Sequence, residues 1–228
     1  MKCLVLSSGG IDSTTCVALA VKEYGYKNVA TVSIKYGQKH LKELKCAEKI
    51  AEYYSVPHYE LDLSQIFKQS NCALLSQSTE EIPLKSYAEQ ISEGHGVATY
   101  VPFRNGLFLA SCASLALSIF NNEKCKIYIG AHADDAAGDA YADCSLEFID
   151  YINKAIKRGT YNLCEIVAPF VNENKAEVVK TGLKLKVPYE LTWSCYQGAD
   201  KPCGKCGTCI DRLKAFELNG AKDPIYEY

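Results

Sequence analysis

The chain has no surplus of positive charge. Its 25 lysines and arginines face 27 aspartates and glutamates, for a net charge of -2 and a pI near 6.1. A protein that holds a nucleic-acid backbone by charge alone carries a basic field, and this composition excludes one. Long apolar runs are missing too, since every hydrophobic stretch is interrupted far short of the ~20 residues that span a bilayer. The opening Met1-Lys2-Cys3-Leu4-Val5-Leu6 runs straight into Ser7-Ser8-Gly9-Gly10, leaving neither the apolar length nor the cleavage region of a signal peptide. The expectation is a cytoplasmic protein. Internal repeats, low-complexity tracts and interdomain linkers are absent from the sequence. So are Gly-x-Gly-x-x-Gly and the Gly-Lys-Ser/Thr ending of a Walker loop.

What the chain does have is 228 residues, 48% of them apolar, enough for one α/β domain of ordinary size. Lys2 to Leu6 reads as a buried parallel strand, followed by a helix from Asp12 to Tyr24 that Gly25 stops. A strand from Asn28 to Tyr36, a helix from Gln38 to Tyr54 and a strand from His58 to Leu63 continue the rhythm. Residues 68–98 break it, being polar and poorly periodic, and a stretch of that kind reads as a flap over a site. Then come an apolar helix from Asn105 to Phe120, a strand from Lys126 to Gly130, an aspartate-rich loop over 131–144 and an amphipathic helix from Leu146 to Lys157. A strand from Glu165 to Ala168 precedes Asn174-Lys175-Ala176-Glu177, a capping box that opens a helix to Lys186. Strand alternating with helix implies a doubly wound parallel sheet with helices on both faces. The expected division is an α/β domain over 1–190 and a small cysteine-bearing segment over 191–228 packed on it.

The first strand-to-helix junction carries the chemistry. Gly9 and Gly10 let an anion approach the main chain, and the N–H groups that open a helix point at one spot with the positive end of its dipole. Ser7, Ser8, Ser13, Thr14 and Thr15 add hydroxyl donors around Ile11. Asp12 repels an anion, so its duty is to orient the loop or to hold Mg²⁺. The rival reading is a tight turn and nothing more.

Ser8-Gly9-Gly10-Ile11-Asp12-Ser13 resembles the PP-loop of the ATP pyrophosphatases, which cleave ATP between its α- and β-phosphates. Tyr36-Gly37-Gln38, Val101-Pro102-Phe103-Arg104-Asn105, GAHADDAAGDAYADC over 130–144, TWSC over 192–195 and CGKCGTC over 203–209 resemble blocks of the 7-cyano-7-deazaguanine synthase family. The resemblance runs nearly end to end. It departs at Phe103, where glycine is commoner, and at Ala142, where proline is.

The resemblance implies conversion of 7-carboxy-7-deazaguanine and ammonia to 7-cyano-7-deazaguanine, with ATP and Mg²⁺, through an adenylated acid and an adenylated amide. It also implies that Lys175 reaches the ATP phosphates and that the enzyme is a homodimer. The alternative is a related PP-loop enzyme that adenylates tRNA or joins another carboxylate to another amine. Arg104 and Asn105 stand at a helix N-terminus, where arginine grips phosphate or carboxylate bidentately. His132, Asp134, Asp135, Asp139 and Asp143 are candidates to contact the substrate, since a carboxylate accepts from a guanine-like N1–H and exocyclic amine. A solvated acidic loop is the plainer alternative.

Cys195, Cys203, Cys206 and Cys209 place four thiols within fifteen residues, with Gly204 and Gly207 permitting sharp turns. The spacing suits a closed tetrahedral zinc site of structural role. An iron–sulfur cluster is the rival. The other eight cysteines are scattered, several inside apolar patterns where a reduced thiol packs as a small hydrophobe.

Overall fold

The computed structural model describes residues 1–86, 89–90, 97–137 and 140–226. Five strands form one parallel sheet: β1 (Lys2–Leu6), β2 (Val29–Lys35), β3 (His58–Asp62), β4 (Cys125–Tyr128) and β5 (Cys164–Val167). Their order is β3-β2-β1-β4-β5, so the chain winds outward from β1 in both directions. The crevice between β1 and β4 is the topological switch point, where open α/β sheets bind ligands at the carboxyl ends of their strands.

Alternation along β1 serves both faces. Leu4 packs with Phe108, Leu109 and Cys112 of α3 (Arg104–Ile119) and with Ile149 and Ile156 of α5 (Leu146–Gly159). Cys3 and Val5 pack on the other face with Ile11 and Val17 of α1 (Ile11–Tyr24) and Ile50 of α2 (Lys42–Tyr53). That face also takes Val178 and Val179 of α6 (Lys175–Leu185) and Phe216 of α7 (Gly207–Leu218). A short α4 (Ala133–Ala136) lies between β4 and α5. The scattered Cys3, Cys16, Cys112 and Cys164 are buried core residues.

Local sequence accounts for the ends of these elements. Asn174 Oδ1 accepts the Glu177 N–H at 3.0 Å while Glu177 Oε2 accepts the Asn174 N–H at 2.7 Å, the reciprocal capping box expected there. Ser145 caps α5 by accepting the Phe148 N–H at 3.2 Å. One start differs from the periodicity. α2 begins at Lys42 rather than Gln38, because Gln38 pairs with Leu75 and its side chain accepts the Tyr36 N–H at 2.9 Å.

The stretch expected as a flap opens as packed structure. Cys72, Ala73, Leu74 and Leu75 are buried, and the Ala73 N–H donates to the Ala98 carbonyl at 3.0 Å, closing the segment at its base. Residues 87, 88 and 91–96, where a flap would have its tip, lie outside the described residues, as does Asp139.

The C-terminal segment is tied into the domain by a buried arginine. Arg212 donates to both carboxylate oxygens of Asp223 at 2.6 and 2.9 Å, and also to Thr192 Oγ1, Ser194 Oγ and the Tyr189 carbonyl.

Candidate functional site

A cavity of about 230 Å³ opens at the switch point. Its floor is the β1–α1 turn, with Ser7, Ser8, Gly10, Asp12 and Ser13 in the wall. The first N–H groups of α1 have no partner within the helix and stand at its positive end. Ser13 shapes the turn: its hydroxyl accepts the Ser8 N–H at 3.1 Å and lies 3.3 Å from the Gly10 carbonyl. Ser7 Oγ is buried with no hydrogen-bond partner among the described residues.

The fold itself engages four residues expected at this turn. Thr14 Oγ1 donates to the Gly10 carbonyl at 2.7 Å and Thr15 Oγ1 to the Ile11 carbonyl at 2.8 Å, both fully buried outside the cavity wall. They are helix-facing hydroxyls satisfied by the preceding turn. The Ile11 side chain is core, so only its main chain is available to an anion. Gly9, at φ +79°, serves packing, because a Cβ there would collide with the Glu43 carbonyl and come within 2.8 Å of the Ala47 nitrogen.

Above the turn stands a charged cluster. Lys175 Nζ, from the first turn of α6, donates to Asp12 Oδ2 at 2.5 Å and lies 3.4 Å from His132 Nε2. His132 Nε2 is 3.4 Å from Asp135 Oδ1 and 3.9 Å from Asp12 Oδ2. Burial resists ionisation of Asp12, but Lys175 and His132 outweigh it and hold the carboxyl below its ordinary value. Burial also opposes the Lys175 charge, yet Asp12 and Asp135 raise its pKa. Asp135, more weakly compensated, is pushed up by burial. Asp12 therefore orients Lys175, while its second oxygen, Oδ1, is buried with no partner among the described residues.

Two other aspartates have structural duties. Asp143, expected at the substrate, is 4% exposed and accepts the Asn105 N–H at 2.8 Å. It caps α3, which Phe103 starts without a side-chain cap. Asp134 likewise accepts the Lys175 N–H at 2.8 Å, fixing the start of α6. Neither lines the cavity. Asn105 does, but its Nδ2 donates to the Asp143 carbonyl and to Cys144 Sγ, so it braces the wall.

The opposite end of the cavity is aromatic. The Arg104 guanidinium lies 5.4 Å from the Tyr36 ring and 5.9 Å from that of Phe108, with Tyr196 and Trp193 also in the wall. Trp193 belongs to the segment after α6, and its main-chain N–H donates to the Gly9 carbonyl at 2.9 Å, fastening that segment to the turn. Glu43 faces the same end. Burial raises its carboxyl to about 7 despite Arg104, which acts to lower it. Sequence reading passed over Glu43, Tyr196, Thr208 and Asp211, all cavity residues, because only tertiary packing brings them there.

The departure at Phe103 falls on a backbone position that suits glycine. Phe103 sits at φ +52° in the left-handed region that favours glycine. Its ring covers Gly106, where a Cβ would collide with it, and packs edge-on to Phe148 with centroids 5.8 Å apart. Ala142 opens a 3-10 turn over Ala142–Cys144, a first-turn position that proline suits.

The four clustered cysteines converge, their sulfurs all within 4.8 Å of one another, and Cys203 Sγ lies 3.9 Å from Cys209 Sγ. Amide N–H groups of Gln197 and Cys203 point at Cys195 Sγ at 3.4 and 3.3 Å, and those of Lys205 and Cys206 at Cys203 Sγ at 3.4 Å. Hydrogen bonds from Cys206 and Cys209 pull the Cys195 thiol down, while Cys195 pushes both of those up. Sulfurs this crowded ionise together only around a cation, so the residues fit a metal ion.

A doubly wound parallel sheet whose first strand feeds such an anion cradle defines a PP-loop nucleotide-using enzyme. The family described as queuosine biosynthesis protein QueC matches residues 2–220. The 7-cyano-7-deazaguanine synthase of Caldicellulosiruptor saccharolyticus is 41% identical over 225 residues, covering 99% of this chain and 95% of that protein. That of Archaeoglobus fulgidus is 41% identical over 226 residues, covering 99% of this chain and 90% of its own. Among solved structures, the NH3-dependent NAD synthetase from Campylobacter jejuni is 16% identical and superposes with a TM-score of 0.49, covering 96% of this chain and 75% of that one. The chain belongs to the QueC family, that of the 7-cyano-7-deazaguanine synthases. Among the described residues no helix is long and apolar enough to cross a membrane.

Proposed function

We propose that this protein is an ATP-dependent carbon–nitrogen ligase that makes 7-cyano-7-deazaguanine from 7-carboxy-7-deazaguanine and ammonia. The substrate carboxylate attacks the α-phosphate of ATP, giving an acyl-adenylate and pyrophosphate. Ammonia then displaces AMP and leaves the amide. The amide oxygen is adenylated by a second ATP, with release of pyrophosphate, and loss of AMP and a proton yields the nitrile. No side-chain nucleophile is needed; the protein contributes position and electrostatics.

The observation that carries this reading is the Lys175–Asp12 clasp over the β1–α1 turn. The amides opening α1 receive the departing pyrophosphate at the helix N-terminus, helped by the Ser8 and Ser13 hydroxyls. Lys175 leaves Asp12 for the phosphates, exchanging one anion for another. Mg²⁺ accompanying ATP would further neutralise the leaving group, and Asp12, whose Oδ1 has no partner among the described residues, is the carboxylate that would hold it. Arg104 and the rings around it take the deazapurine end, with His132 and Asp135 tuning the charge at Lys175.

For the cysteine site we favour zinc. Four sulfurs at about 2.3 Å from one tetrahedral ion lie roughly 3.8 Å apart, which the 3.9 Å between Cys203 and Cys209 matches. Thiolates that each bind a different iron of a cluster stand further apart. The ion's role is structural. It pins Cys195, next to the cavity residues Ser194 and Tyr196, to the start of α7. The assembly we propose is a cytoplasmic homodimer acting on small molecules only, with the α/β domain over 1–190 and the metal-bearing segment over 191–228 sharing one cavity.

Incubation with ATP, ammonium and the carboxylated deazaguanine, followed by mass spectrometry, tests the reading. The nitrile should appear with AMP and pyrophosphate. ADP as the only nucleotide product, or turnover of tRNA in place of the acid, overturns it.

A further inference from the structure

The cavity wall holds four carboxylates, and three of them gather at one end. Asp12, Asp135 and Asp211 each feel Lys175 and His132 as neighbouring charges. Glu43 is the exception. It extends from the first turn of α2 to the aromatic end, where Arg104 is the cation that it faces. Among the described residues its carboxylate makes no hydrogen bond and no ion pair, and the Arg104 guanidinium rests over the Tyr36 and Phe108 rings. The Glu43 carboxylate is half-buried in the cavity wall, and with no protein donor on it both oxygens are free to accept from a ligand there. Such a group in a binding cavity marks where a ligand brings the donors.

We propose that Glu43 is the specificity-determining residue for the purine-like ring of the acid substrate, its two carboxylate oxygens accepting from the ring N1–H and the exocyclic amine. The inference rests on the reaction proposed above and extends it to how the ring is chosen. The match is chemical. A guanine-like edge offers two parallel donors, and an ionised carboxylate is acceptor-only with two oxygens at the corresponding spacing. The adenine of ATP offers one donor beside one acceptor along its pairing edge, which the ionised carboxylate does not match; the two ring donors of the acid, like Arg104, favour that ionised form.

The backbone supports the assignment. Gly9 lacks the Cβ that would strike the Glu43 carbonyl, so the first turn of α2 lies directly against the phosphate turn. An acid held at Glu43 is thereby kept close to the cradle that receives pyrophosphate. Asp143 and Asp134, the other carboxylates of suitable chemistry, are occupied as helix caps.

The test compares wild type with Glu43→Gln, using the carboxylated deazaguanine and its analogue lacking the exocyclic amine. Glu43→Gln should raise KM for the acid by about 10²-fold or more, since hydrogen bonds to a charged acceptor are lost and one ring donor is left facing another donor. KM for ATP should stay within about two-fold, since no nucleotide contact is removed. Wild type should lose a similar factor when the amine is removed, and Glu43→Gln should lose little more, so the two changes do not add. A rise in KM for ATP with KM for the acid unchanged overturns the assignment. So does a full amine-removal penalty persisting in Glu43→Gln. Wild-type discrimination between the acid and its analogue is a readout that survives a variant that fails to fold, and equal handling of both also contradicts the proposal. Wild type that turns over no deazaguanine acid defeats the reaction itself, a result distinct from any of these.

Discussion

The two ends of the cavity are built on different principles. At the phosphate end, seven consecutive residues from Ser7 to Ser13 make the turn, and Lys175 is the one distant side chain clasped over it. At the aromatic end, Tyr36 comes from just beyond β2, Glu43 from α2, Arg104 and Phe108 from α3, and Trp193 and Tyr196 from the segment after α6. Anion binding needs only backbone amides and a helix end, which a short local sequence supplies. Ring recognition needs walls on several sides, which only the folded chain supplies.

The sharpest way to break this contrast is to loosen the distant wall without touching the turn. Asp223→Ala strands the buried Arg212 that ties α7 to Tyr189, Thr192 and Ser194. Removing one partner of a buried ion pair costs about 3–5 kcal/mol. Thermal unfolding should show this loss, and KM for the acid should rise more than KM for ATP. Cys206→Ser should act in the same direction, losing metal and Tm together; a metal-replete variant melting like wild type would count against the four-thiolate site.

At the phosphate end, Lys175→Ala should lower kcat by about 10²–10³-fold, the usual effect of removing one preorganised charge donor. Thr14→Ala is the control that sharpens the point. Its hydroxyl bonds the Gly10 carbonyl, so KM for ATP should be unchanged; a large rise would return Thr14 to the cradle.

A smaller effect concerns pH. The Asp12 carboxyl is depressed below its ordinary 3.8 because Lys175 and His132 outweigh its burial. Its contribution to stability is therefore present above that value and lost as pH falls through the depressed one. Lys175 is raised above its ordinary 10.5, so its share is full below 10.5 and lost as pH rises through the raised value. The difference in stability between wild type and Lys175→Ala should be flat around neutrality and shrink at acid pH below the ordinary carboxylate range. A difference that stays constant down to the acid limit of folding would separate the clasp from stability.

Smallest of all is Phe103→Gly. Relief of the left-handed backbone, roughly 1–2 kcal/mol, is offset by loss of ring contacts with Gly106 and Phe148. Denaturant unfolding should move by no more than about 1 kcal/mol, with turnover intact.

The fold was largely legible because its signals are periodic and local. Strand alternated with helix, Asn174 and Glu177 marked one helix start, and Gly25 marked a helix end. The start of α2 was misplaced by four residues because Gln38 pairs with Leu75, a contact across 37 positions that periodicity does not contain. The same limit governed the site. Gly10, Asp12 and Ser13 were legible as the turn that lines the cavity, yet the direction of the Thr14 and Thr15 hydroxyls depends on helix geometry. Asp134 and Asp143 looked like ligand contacts because a carboxylate's chemistry is the same whether it caps a helix or meets a substrate. Glu43 gave no signal, being one of several charged residues in an amphipathic helix.

The most direct measurement is a crystal structure with an ATP analogue that resists cleavage between the α- and β-phosphates. The β- and γ-phosphates should sit on the amides that open α1, with Lys175 Nζ moved from Asp12 onto them. A triphosphate lodged away from the β1–α1 turn, or Lys175 still bound to Asp12 beside it, would rule out this turn as the pyrophosphate site.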